Sequence, residues 1–418
     1  LRKEAQPDKA GGSGGPEGNG NAISSRGKGD SGSVPAGAKS VRYVDSEAGL
    51  QDVRKAIGGV GRLALDCEAA GFHRYSDRVC LIQLSLAAET FLLDPLAVDP
   101  APVLRPVLED PGVEVVMHGA DFDVRILDRD LEIRIQGLFD TQIAGALLGI
   151  GNLGLSPLLE RTMGVTISKK FQKADWARRP LPAGMKEYAA LDTAYLLDLS
   201  DHLRAELESK GREEWAVEES RKLERVRWEA DDQDPVTRIK GARDLTIREM
   251  ARLRAALEWR DRVARERDRA AFRVAGNDTL LEAARRNPIS VEEVAALPGV
   301  NGGLARAEGG RLLELLLEAN QRPEEEVARY PRYTGGRERP LPEAEERLAR
   351  LKEVRNERAR ALEIDRGTLL PNHVLETLAE SPPTDLAELA TVDGVRDWRL
   401  EVVGKELLQA LGSPGSGG

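Results

Sequence analysis

The apolar positions of this chain fall into two regimes. Between residues 41 and 225 they come partly as short runs bounded by polar turns. The runs 62–67, 79–86 (VCLIQLSL), 90–93 and 113–117 (VEVVM) each read as a strand. Short connections join the first three, which predicts an antiparallel meander. Elsewhere in this half the spacing takes the helical rhythm of three and four, over 101–109, 121–130, 140–149, 153–163 and 184–208. Strands joined early and helices arriving later predict an α/β domain, a mixed sheet covered by helices. From 243 onward the pattern is helical.

The helical half repeats itself. A shift of 95 residues, without a gap, matches Arg252 to Arg347, Arg260 to Arg355, Asn277 to Asn372, Gly299 to Gly394 and Leu312 to Leu407, among others. A match of this length predicts two copies of one small all-α domain, at 243–320 and 344–411. The acidic, helix-breaking stretch 229–235 marks a linker at 226–242. A Pro-, Arg-, Glu- and Gly-rich segment, 321–343, joins the copies. Residues 1–39 are Gly-, Ser- and Pro-rich without apolar period, and are expected to form a disordered extension; 412–418 are expected to form a flexible tail.

Composition narrows the class. The 418 residues are 32% charged and 4% aromatic, as in a soluble, helix-rich protein of several domains. No run of about 18 apolar residues offers a membrane span. The N-terminus lacks the charged and apolar regions of a signal peptide, and Leu1 in place of Met leaves the true start open. Cys67 and Cys80, both inside apolar runs, read as buried thiols in a reducing cytosol, so the expected location is cytoplasmic. The net charge of −10 counts against a nucleic-acid binder, although local charge matters more than the sum.

The candidate chemistry is acidic. Asp66 and Glu68, at i and i+2 at the end of a strand, share a face; standing alone the pair reads first as an exposed strand end. Asp123 lies just inside the helix after strand 113–117, with Asp121 as its competitor or as an N-cap. His118 reads as a hydrogen-bonded core histidine that helps position the site. Tyr188 and Asp192, four apart on one helix, share a face, and Tyr188 alone reads as a core aromatic. If the four acids converge, they repel by several kcal/mol at intermediate dielectric, which protonation or bound cations must relieve. All-oxygen ligands suit Mg²⁺ or Mn²⁺ rather than zinc. Two such ions about 4 Å apart can activate water and stabilise the leaving oxygen of a phosphodiester, with a tyrosine hydroxyl orienting the water.

In this order and spacing the blocks resemble the three motifs of the tyrosine-bearing DEDD exonucleases: Asp66-x-Glu68, Asp123, and Tyr188-x-x-x-Asp192. The run Asp175-Trp176 … Arg179-Pro180-Leu181 … Tyr188-Ala189 … Asp192 is similar to the ribonuclease D family, as are Cys80-Leu81-Ile82-Gln83-Leu84 and Phe139-Asp140-Thr141. The two helical copies, with turns Leu297-Pro298-Gly299-Val300 and Val392-Asp393-Gly394-Val395, resemble HRDC domains. One exonuclease followed by two such modules is the ribonuclease D layout. The resemblance implies an RNase H-like mixed sheet flanked by helices and two divalent ions, Mg²⁺ or Mn²⁺, on Asp66, Glu68, Asp123 and Asp192. It further implies a 3′→5′ exoribonuclease that releases nucleoside 5′-monophosphates and trims tRNA precursors with 3′ extensions. No obligate protein partner is evident. HRDC modules also accompany RecQ-type helicases, but no Gly-x-x-x-x-Gly-Lys-Ser/Thr loop occurs, so a helicase motor is not expected.

RNA needs cations for its backbone and flat groups for its bases. Lys169, Lys170, Lys173, Arg178 and Arg179 form a basic run beside the third block. Trp176 reads as a stacking group or as core, and Arg179 as a bidentate structural or phosphate partner. Between Arg248 and Arg273 nine arginines stand against five acids, a net +4; between Glu345 and Arg366 seven basic residues stand against six acids, a net +1. The first helical copy is therefore expected to contact RNA more strongly, through Arg260, Arg262 and Arg269, against the alternative of an ion-paired solvated helix face. Two other functions compete: a 3′→5′ DNA exonuclease and a non-catalytic RNA-binding scaffold.

Overall fold

The computed structural model describes residues 39–331 and 341–412; the expected N-terminal extension and C-terminal tail lie outside them, apart from their boundary residues Lys39 and Gly412, as does the centre of the second linker. Six strands form one mixed sheet: β1 (Ser40–Val44), β2 (Arg62–Ala69), β3 (Val79–Ser85), β4 (Glu89–Leu93), β5 (Glu114–Met117) and β6 (Leu138–Asp140). Their order is β1-β4-β3-β2-β5-β6. The expected meander is present, since β2, β3 and β4 pair antiparallel. Outside it β1 pairs parallel to β4, and β5 and β6 continue parallel from β2.

Helices cover both faces. On one, α1 (Glu47–Ile57), α2 (Ala101–Leu108) and α3 (Asp121–Leu131) bury Leu50, Val53, Ile57, Leu104 and Leu127 against Leu63 and Leu65 of β2. On the other lie α4 (Thr141–Leu147), α5 (Leu155–Met163), α6 (Ala183–Ala194), α7 (Leu196–Ser209) and α8 (Glu213–Leu223). Alternation along β2 thus sends Leu63, Leu65 and Cys67 to the first core and leaves Asp66 and Glu68 on the opposite face, beneath α6. Cys67 and Cys80 are buried free thiols, as expected.

Three local features depart from the sequence reading. The expected helix 184–208 is two helices that meet at Tyr195, because α6 packs on β3 and β4 whereas α7 packs on α4 and α5. The expected helix 140–149 begins only at Thr141: Asp140 ends β6 and caps α4, accepting from the amides of Gln142 and Ile143. Strand β1 and helices α1 and α8 were not anticipated, although Ser46 as N-cap and the spacing of Leu50, Val53 and Ile57 carry an α1 signal.

Each helical copy folds around a long helix. The first comprises α9 (Ile247–Glu266), α10 (Ala271–Val274), α11 (Asn277–Arg286), α12 (Val291–Ala295) and α13 (Gly302–Gln321). The second comprises α14 (Pro342–Ala361), α15 (Arg366–Leu369), α16 (Asn372–Glu380), α17 (Leu386–Ala390), α18 (Asp397–Arg399) and α19 (Lys405–Gly412). The 95-residue period holds in three dimensions. Arg260 donates to Asn277 Oδ1 (2.8 Å) and Arg355 to Asn372 Oδ1 (2.7 Å). Arg252 reaches the carbonyl of Ala284 (2.5 Å) and Arg347 that of Ala379 (2.8 Å). Gly299 and Gly394 take φ of 78° and 92°, which favour glycine.

The two copies attach differently. The first has its own core, which also takes Val236, Ile239, Ala242 and Val327 from the expected linkers. It meets the β2–β3 segment through polar contacts: Tyr75 Oη donates to Asp261 (2.8 Å), Ala270 N to the His73 carbonyl (3.1 Å) and Arg273 Nε to the Phe72 carbonyl (2.6 Å). The second shares one core with α4, α5, α7 and α8. Trp398 stacks on Trp215 at 4.6 Å and donates to Glu219 (2.8 Å), which also pairs with Arg399. Gly149 packs so close to Glu363 that an added Cβ would lie 1.8 Å from that carbonyl. Among the described residues no helix is long and apolar enough to cross a membrane.

Candidate active site

Three elements bring the acids together. Strand β2 supplies Asp66 and Glu68, with a register shift just after Glu68, and α6 supplies Asp192. Carboxylate oxygens of these three residues lie within 4.8 Å of one another. Asp123, in the first turn of α3, stands outside that trio, against Asp66 and the backbone amide of Cys67. Asp123 is 7% exposed. Asp121 instead faces solvent and pairs with Arg125 at 3.2 Å, so it does not compete for the cluster. A buried knot sets the loop before α3: the Asp140 carboxylate accepts from the amides of Gly119 (3.0 Å) and Ala120 (2.8 Å). His118 Nδ1 lies 2.9 Å from Thr141 Oγ1, and burial lowers its pKa, so it braces this loop in neutral form.

The electrostatics of the cluster are unfavourable as they stand. Burial pushes Asp66 up to about 7. Burial and then the charges of Asp66, Asp192 and Asp123 push Glu68 up to about 10. Burial and Asp66 push Asp192 up to about 8, and burial with Asp66 holds Asp123 well above the usual carboxylate range. No lysine or arginine pairs with any of the four among the described residues. Buried carboxylates without counter-charge need protons or cations. Four hard oxygen donors suit Mg²⁺ or Mn²⁺, so the donor set fits divalent ions.

Tyr188 lies one turn before Asp192, and burial, followed by the charges of Asp192, Glu68 and Asp66, raises its pKa. Its ring sits 6.0 Å from Phe171 and 6.1 Å from Trp176. Trp176 is 1% exposed, packed among Leu81, Leu92, Met185 and Ala189, which corrects its reading as a base-stacking group. Arg179 is partly buried and committed within the protein: it grips Asp94 with two nitrogens (2.5 and 2.6 Å) and donates to the carbonyls of Trp176 and Cys80. Arg260 is spent on Asn277 and the Ala275 carbonyl rather than on RNA. Arg262 pairs with Glu258 at 2.6 Å. Lys169, Lys170, Lys173, Arg178 and Arg269 are exposed.

Sequence reasoning gave no role to Gln83 or Asp140, although both sit in runs quoted for the family resemblance. Gln83 lies directly opposite Asp66 on β3, fully buried, and its side-chain amide has no hydrogen-bond partner. Asp140 carried a local signal, an aspartate before a helical period. The segment after Glu68 was also missed. His73 Nε2 lies 2.8 Å from the Lys173 carbonyl, and Arg74 grips Asp175 with two nitrogens (3.0 and 2.8 Å).

Comparison with known proteins follows the same division. Residues 41–208 match the family model for a 3′-5′ exonuclease, and residues 249–316 and 344–411 each match that of the HRDC domain. The chain is 32% identical to ribonuclease D of Escherichia coli over 68% of its own length and 76% of that protein. The crystal structure of that enzyme superposes with a TM-score of 0.64, covering 89% of this chain and 98% of the other. Ribonuclease D of Pseudomonas paraeruginosa is 29% identical over 90% of this chain and 99% of that protein. Protein RRP6-like 1 of Arabidopsis thaliana is 32% identical, but the match spans only 42% of its length.

Proposed function

This chain belongs to the ribonuclease D family of metal-dependent 3′→5′ exoribonucleases, and on that premise we propose which residues do the work and on what substrate. Asp66, Glu68, Asp123 and Asp192 hold two divalent ions, Mg²⁺ or Mn²⁺. The observation that carries this assignment is the trio of carboxylates within 4.8 Å, partly buried and without counter-charge. When bound, the ions supply acidification of the attacking water and charge neutralisation at the scissile phosphate. Tyr188, kept protonated by its buried and acidic surroundings, donates a hydrogen bond that orients the water and does not act as a base. The Asp140 knot fixes the loop that aims Asp123. Exposed Lys169, Lys170, Lys173 and Arg178 meet the phosphates of the incoming strand.

The substrate we propose is RNA with 3′ extensions, tRNA precursors among them, degraded in the cytoplasm to nucleoside 5′-monophosphates. The Escherichia coli relative is described as an exoribonuclease involved in structured RNA processing, which supports this choice. The test is incubation with tRNAs bearing extra 3′ nucleotides, with Mg²⁺, with Mn²⁺ and with EDTA, sizing the products. Stepwise shortening that EDTA stops is expected, and Asp66→Asn or Asp192→Asn should abolish it. Variants that degrade RNA as fast as the parent would sink the site assignment. Preference for a matched DNA oligonucleotide would favour a DNA exonuclease, and binding without degradation a scaffold.

A further inference from the structure

We propose that Phe72 and Phe272 together form a stacking platform for single-stranded RNA, shared between the exonuclease domain and the first HRDC module. This deepens the functional reading above and rests on it. The two rings lie 5.5 Å apart, tilted by 53°. They are 41% and 52% exposed although each touches the other domain. A ring pair kept only to hold two domains together gains by burying its faces; these leave about half of their surface to solvent.

The surroundings suit a nucleic-acid strand. The guanidinium of Arg273 lies 4.6 Å from the centre of the Phe72 ring and 5.7 Å from that of Phe272, and Lys173 Nζ lies 5.7 Å from the Phe72 ring. Aromatic faces hold bases with little regard to sequence, and adjacent cations hold the phosphates between them. The platform is fixed in place: Arg273 is bonded to the Phe72 carbonyl, and Ala270 and Lys173 are tied to His73. It also sits on a route to the reacting centre. Phe72 is four residues beyond Glu68, so at most about 14 Å of chain separates their backbones. Inward, Phe171, within the same basic run as Lys173, meets the Tyr188 ring edge-on. A strand whose 3′ end lies at Tyr188 and Asp192 reaches the platform within a few nucleotides.

The experiment reads affinity apart from cleavage. Binding of a fluorescently labelled single-stranded decamer RNA is measured by anisotropy in EDTA, for the full chain and for Phe72→Leu, Phe272→Leu, Phe72→Trp and Phe272→Trp. Leucine keeps apolar packing between the domains and removes the aromatic face; tryptophan keeps the face. Each leucine variant is expected to bind about tenfold more weakly, and each tryptophan variant to bind as the parent does. Leucine variants with parental affinity would reduce the pair to domain packing and overturn the proposal. So would tryptophan variants as weak as leucine, or a parent chain that does not bind the decamer. Absence of metal-dependent shortening by the parent chain in a parallel assay would count against the exonuclease reading alone, because the platform is read without turnover.

Discussion

Replacing Asp66 by Asn isolates the electrostatic cost of the acidic cluster. In the metal-free protein burial moves the Asp66 carboxyl from the ordinary 3.8 to about 7. The unfolded chain keeps the ordinary value. Between those two values the folded state therefore retains a proton that the unfolded state has released. Stability of the metal-free protein falls as pH rises through this window, and below it the cost is absent. At 1.36 kcal/mol per tenfold change in proton affinity, the cost above pH 7 is about 4 kcal/mol. Asparagine has no proton to lose, so Asp66→Asn removes most of it. For a chain of this length that corresponds to roughly 5 °C in Tm. The assay is thermal melting in EDTA across pH 5 to 8. The variant should melt only slightly above the wild type at pH 5, where about a third of the cost is already present, and well above it at pH 8. Saturating Mg²⁺ should reverse the order, because an ion held only by the folded wild-type site stabilises it by linkage. A variant that melts at or below the wild type in EDTA at pH 8 would refute the reasoning.

Three further outcomes follow from the structure. Tyr188→Phe should lower kcat by about 100-fold with little change in KM, since it removes one oriented donor; an unchanged kcat in steady-state assays would rule that role out. Arg260→Ala should cost about 1–3 kcal/mol of stability while leaving the salt slope of RNA binding alone, and Arg269→Glu should do the reverse, flattening that slope by about one. Trp398→Ala should cost about 3–5 kcal/mol and lower the calorimetric transition of the exonuclease domain along with that of the second HRDC module; a shift confined to the module would argue against a shared core.

How much of this was legible in the sequence depended on the range of the interaction. The meander β2–β3–β4 could be read because each strand carries its own apolar run and the connections are short. The parallel placement of β1, β5 and β6 could not, since it is set by partners far along the chain, and β6 has only three residues. The tandem period was plain because both copies kept the same bracing arginine and asparagine. Spacing places Asp66 with Glu68 on one strand face and Asp192 with Tyr188 on one helix face; that strand and helix meet was implied by the family resemblance, not by spacing. Asp121 and Asp123, two residues apart, were not separable by pattern; the resemblance chose Asp123, and burial sets it apart from the solvent-facing Asp121. Trp176 and Arg179 were ambiguous for the same reason: the partners that hold Arg179, Asp94 and Cys80, are 85 and 99 residues away.

The two helical copies also carry the instruction for their own order. At the positions where the second copy seats itself on the exonuclease it has Asp393, Arg396, Trp398 and Arg399. The corresponding places in the first copy, 95 residues earlier, are Pro298, Asn301, Gly303 and Leu304. Exchanging the modules would put proline and glycine where an ion pair and a tryptophan stack are required, and would leave a tryptophan and its charges facing water. The chain is thus asymmetric by a handful of side chains on a duplicated scaffold. Those few positions, rather than the scaffold, decide which copy merges into the enzyme's core and which keeps a core of its own and meets the exonuclease through surface contacts.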